Sequence, residues 1–146
     1  MINLQGHYKL ELVRAGKIIH REQGHNLITT VGENHIAARF IKTAPPVAVD
    51  WIALGSGTAA PLKSNTVLQA EIALTRTASS SDVVSVSHSI YVFAVTAVAT
   101  ITVNECGIFN DAVAGTMIAR FLTQEFDMQN LDVLNATWDL EFTGVE

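Results

Sequence analysis

The chain has 146 residues, enough for one domain with a sizeable core, and its formal net charge is −5 with only 9 Lys and Arg. Those cations are scattered singly, which excludes the clustered basic surface that tracks a nucleic-acid backbone, and no apolar run approaches the roughly 20 residues needed to span a bilayer. A single cysteine, Cys106, excludes an internal disulfide and a cysteine zinc cage, while an apolar content of 49% against 16% charged residues suggests surface hidden against other subunits.

From His7 to Gln23, Tyr8, Leu10, Leu12, Ile18 and His20 recur at period two around Ala15-Gly16. This predicts a β-hairpin over residues 1–24. The period then lengthens: Val31, Ile36, Ala37, Phe40 and Ile41 fit a helical stripe, and Thr30-x-x-Glu33 has the spacing of a capping box. We expect one short helix over about 31–42, ended by Ala44-Pro45-Pro46.

Asp50 to Leu54 is a short apolar strand running into Gly55-Ser56-Gly57. The following stretch to Leu74 is expected to be an irregular arm, although "TVLQAEIALTR" also accommodates a helical turn. "TASSSD", Thr77 to Asp82, reads as an exposed loop. Alternation then runs through Val83–Phe93 and Val98–Phe109, and two further strand-like runs are "TMIARFLTQEF" and "VLNATWDLEF". Gly115 and "DMQNLD" lie at the turns. One helix and about seven strands, without a βαβ rhythm, predict a mainly β single domain spanning 1–146: an antiparallel β-sandwich, jelly-roll-like.

The Gly-x-Gly after an apolar strand raises phosphate binding, because glycine N–H groups close readily around an anion. Here the third glycine and the lysine of the nucleotide motifs are missing, and Pro61 stands where their helix would run. We therefore read Gly55 and Gly57 as a tight strand exit that uses glycine's backbone freedom. Ser56 is outside a nucleophile elbow, and Cys106 reads as a packed thiol. Histidines 7, 20, 25, 35 and 88 form no short ligand pair. Glu71, Glu105 and Asp111 are the candidate carboxylates. Glu105 follows an apolar alternation, so we expect it to bond a turn, Arg76 or Arg120 rather than to catalyse. No catalytic, cofactor or metal residue is assigned. Trp51 and Trp138 sit in apolar strand contexts and are expected in the core rather than on a sugar-stacking surface.

Three ordered stretches carry a resemblance. "GHNLITTVGENHIAARF", "IALGSGTAAPLKSNTVLQAEI" and "ITVNECGIFNDAVAGTMIARF" together resemble a group of small tailed-bacteriophage virion proteins, over about Gly24 to Phe142. Asn26, Leu27, Gly32, Gly55, Gly57, Thr58, Leu68, Glu71, Glu105, Gly107 and Phe109 match its motif positions and are expected to be scaffold residues. The resemblance implies a noncatalytic β-sandwich in a phage particle. It points to a capsid cement (decoration) protein on the major capsid protein, with a tail, baseplate or fibre-associated module as the alternative and a carbohydrate-binding sandwich as the second. The expected state is a homotrimer in the virion, made in the bacterial cytoplasm, with no nucleic-acid or membrane partner.

Overall fold

A computed structural model describes residues 2–41 and 46–144. In these the chain forms β1 (Ile2–Arg14), β2 (Lys17–Ile28), α1 (Thr30–Ala38), β3 (Trp51–Gly55), β4 (Thr77–Ala78), β5 (Ser81–Ser85), β6 (His88–Thr96), β7 (Ile101–Phe109), β8 (Met117–Met128) and β9 (Val133–Gly144). All pairings are antiparallel, in the order β4-β3-β7-β8-β2-β1-β9-β6-β5. The result is a mainly β, sandwich-like domain with one short helix, as the strand spacing predicts. No helix among the described residues is long and apolar enough to cross a membrane.

The sheet curls because β2 serves two halves. Over most of its length β2 pairs with β1, but at its end Leu27 and Ile28 pair with Arg120 and Ala119 of β8. That brings β3, β4, β7 and β8 over the half formed by β1, β2, β5, β6 and β9. The connections β4–β5, β6–β7 and β8–β9 each pass from one half to the other. Period-two side chains fill the space between: Leu10, Leu12, Phe93, Val95, Leu134, Ala136 and Trp138 meet Ile52, Leu54, Val103, Cys106, Ile108, Phe121 and Met128. Each large side chain so buried contributes about 1.5–3 kcal/mol.

Five expectations change. The opening hairpin does turn at Ala15-Gly16, both at positive φ, but β2 runs on to Ile28. The helix is shorter than its periodicity predicts and ends at Ala38; its last turn tightens through Phe40 N–H to Ala37 C=O and Ile41 N–H to Ala38 C=O, leaving Phe40 and Ile41 exposed. Its cap is Thr29, which accepts from the Gly32 N–H at 3.0 Å, whereas Glu33 turns outward to Lys63. Of the expected stop at Ala44-Pro45-Pro46, residues 44 and 45 lie outside the described residues. The alternation over Val83–Phe93 conceals a hairpin: Val86 and Ser87, at φ 33° and 68°, turn the chain between β5 and β6. The stretch read as a serine loop contains β4 and the start of β5.

Candidate functional site

Strand β7 is buried on both faces. An irregularity in its pairing with β8 between Val103 and Glu105 shifts the alternation, so that Val103, Cys106 and Ile108 enter the main core while Glu105, Gly107 and Phe109 face the other way. The arm that follows β3 covers that outer face. There Ala53, Leu68, Phe109 and Met117 form a second small core, with Trp51 packed against it.

The arm is fastened to the sheet by one carboxylate. Glu105 is fully buried, and its two oxygens accept four bonds. Oε1 takes the N–H groups of Gly57 (3.1 Å) and Ala70 (2.7 Å); Oε2 takes the Gln69 N–H (3.2 Å) and the Arg120 Nε–H (2.7 Å). Arg120, 2% exposed, also donates to the Ala59 carbonyl at 2.9 Å and the Asn65 side chain at 3.2 Å. Burial alone would raise the Glu105 pKa, but the Ala70 N–H, the Arg120 guanidinium and the Gln69 N–H outweigh it and hold the carboxyl below its ordinary value. Glu105 is therefore ionised at neutral pH. With both oxygens engaged it has the chemistry of a clamp, not of a proton donor or nucleophile.

The Gly-x-Gly stretch belongs to this clamp. Neither Gly55 nor Gly57 has a positive φ, so the expected use of backbone freedom is corrected. What glycine supplies is space: a Cβ on Gly55 would stand 2.6 Å from Glu105 Cγ, and one on Gly57 would stand 2.5 Å from Glu105 Oε1. The anion held by this loop is the protein's own carboxylate.

A second fastening lies at the far end of the arm. Glu71, which bridges back to Gly55, holds Arg76 with two bonds of 2.7 and 3.1 Å. The Arg76 guanidinium lies 3.7 Å over the Phe109 ring and donates to the carbonyls of Asp111 (2.8 Å) and Ala114 (2.7 Å) in the β7–β8 loop. Seven of the singled-out residues thus converge on the arm: Gly55, Gly57, Leu68, Glu71, Glu105, Gly107 and Phe109. Thr58 is exposed.

Asn26, Leu27 and Gly32 lie outside the arm and act on β8 and the main core. Leu27 pairs with Arg120 itself, and a Cβ on Gly32 would stand 2.2 Å from the Ile118 carbonyl oxygen, so glycine lets α1 sit directly on β8. The Asn26 amide donates to the Gly6 carbonyl at 2.7 Å and accepts from the Trp138 indole.

The remaining candidates separate. Cys106 is buried, and burial pushes its thiol pKa well up. His7, His20 and His88 pair singly with Glu141, Glu22 and Asp139; among the described residues no three metal-ligating side chains converge. Trp138 is buried. Sequence reasoning overlooked the contributions of Asn65, Gln69 and Ala70, for which no local pattern exists, and the isolated polar atom of His35. In comparison with known proteins, no family model matches the chain and no curated protein shows significant similarity to it.

Proposed function

We propose that the protein is a structural component of a tailed-bacteriophage particle, specifically a capsid cement protein that binds the assembled major capsid lattice as a homotrimer and stabilises it. The observation that carries this reading is the arm. Pinned at both ends by buried or half-buried ion pairs, it nevertheless turns Leu62, Val67 and Leu74 outward at exposures of 59%, 66% and 80%, and Val113 of the β7–β8 loop is 78% exposed. Val67, Leu74 and Val113 line one shallow cavity of about 510 Å³. Fixed apolar side chains grouped on one face support a surface that other chains cover.

A protein that binds only the assembled lattice shifts the assembly equilibrium toward that state, and attachment of three linked copies strengthens the effect. The net charge of −5 suits a basic partner surface. The test adds purified protein to particles that lack it and counts bound copies. Hundreds per particle, lost in Val67→Asp/Leu74→Asp with the melting temperature kept, support a cement; a handful place it in the tail. Sedimentation as a monomer at micromolar concentration, with no binding to empty capsids, refutes the reading.

A further inference from the structure

The sheet joins two histidines that the sequence keeps apart. Antiparallel β1 and β2 set His7 directly opposite His25, and β9 sets Asp139 opposite His7 on its other side. Period two turns this row to solvent, away from the buried Leu10, Leu12 and Trp138 of the same strands. His25 is exposed and His7 half-buried. Both line a shallow cavity of about 570 Å³, together with Asp139, Lys9, Gln23 and Thr137.

The pair has the spacing of a chelate. Its ring centres are 4.7 Å apart, with the planes tilted by 57°. Metal–nitrogen bonds of about 2.0–2.1 Å put two imidazoles on one ion with their centres about 4.5–5 Å apart, so both rings can reach the same ion. His7 is also held as metal-binding histidines commonly are: its Nε2 lies 3.1 Å from Glu141 Oε2. A carboxylate only accepts, so Nε2–H is the donor and the neutral ring keeps its lone pair on Nδ1. Local charge favours a cation. Asp139 and Glu141 stand beside His7, while Lys9, the cation on the lining, is drawn to Glu11 at 2.9 Å. His88 lies beyond β9, on β6, with its Nδ1 2.8 Å from Asp139 Oδ1.

We infer that His7 and His25 form a binding site for a divalent transition metal of the zinc, nickel or copper kind, with water in the remaining positions. Imidazole selects such ions over magnesium and calcium, which prefer oxygen. Two protein donors leave coordination positions open, in keeping with the lack of a three-residue cluster among the described residues. The site lies on the solvent face of β1 and β2 and does not depend on the role of the arm.

The test titrates zinc chloride and magnesium chloride separately into the chelator-stripped whole protein at neutral pH, by calorimetry and by following backbone amide signals. Zinc should bind saturably below millimolar concentration, shifting the His7 and His25 signals first, and magnesium should not. His7→Ala and His25→Ala should each weaken zinc binding at least tenfold, whereas His88→Ala should leave it unchanged. His25→Gln, which keeps a polar side chain at this exposed position, should show the same loss as His25→Ala with the melting temperature of the metal-free protein kept. Zinc should raise the melting temperature of the parent but not of either His25 variant. The inference is overturned by the absence of saturable binding at millimolar zinc, by equal binding of magnesium, by an affinity that survives His25→Gln, or by an equal loss in His88→Ala.

Discussion

Glu105→Gln keeps the shape of the clamp and removes its charge, which makes it a sharp probe of how the arm is held. Each carboxylate oxygen receives two N–H groups, from Gly57 and Ala70 on one side and from Gln69 and Arg120 on the other. Whichever way a glutamine amide turns, its NH₂ faces two donors, and Arg120 is left as a buried cation without its counter-ion. Removing one partner of a buried pair costs about 3–5 kcal/mol. For a chain of this size each kcal/mol moves the melting temperature by about 2–4 °C, so the expected fall is about 6–20 °C. Circular dichroism measures that fall, and amide exchange localises it: the N–H groups of Gly57, Gln69 and Ala70 should lose protection before the strands do. A variant melting within about 2 °C of the parent, with those three amides still protected, would show that the arm is held by something other than this carboxylate.

Three further outcomes follow from the same geometry. Gly32→Ala drives a methyl into the backbone of Ile118 and should lower the urea midpoint by about 1–3 kcal/mol in equivalent stability, or more if α1 lifts from β8. Replacing the strained turn by Val86→Asn with Ser87→Gly supplies residues that tolerate positive φ, and should raise the melting temperature through about 1 kcal/mol of relieved strain. Stability should decline on acidification: the folded pKa of Glu105 lies below its ordinary 4.5, so its contribution is complete above that pH and drains away as the pH falls through the folded value. Urea midpoints measured from pH 6 downward should fall less steeply in Glu105→Gln.

Much of the sandwich is legible because its strands bury alternate residues: Leu10 and Leu12, Phe93 and Val95, and Leu134, Ala136, Trp138 and Leu140 all fall at period two. The pattern misleads where alternation passes through a turn. Val86 and Ser87 continue the Val-Ser rhythm of β5, and only their backbone angles reveal the hairpin. It also misleads at α1, where Phe40 and Ile41 fit the helical stripe yet lie beyond the helix in solvent. The clamp was half legible. A glycine pair after a strand signals an anion held by backbone N–H groups, and that chemistry is present, but its anion comes from a strand about fifty residues later. The spacing that would identify Glu105 as the occupant exists only in three dimensions.

The position of β9 constrains the order in which the molecule can form. It lies between β1 and β6, pairing from Ile2–Gly144 through Val13–Val133, so the beginning and end of the described chain are woven into the middle of one half-sheet. Until β9 is synthesised, the β1–β2 hairpin and the β5–β6 hairpin have no strand to join them, and their apolar faces wait unpaired. Contacts between such distant parts of a chain are slow to form, because loop closure must precede any gain from pairing. During synthesis the molecule therefore completes its half-sheet last, from its two ends inward, and in that interval an exposed hairpin edge is open to pairing with another nascent copy.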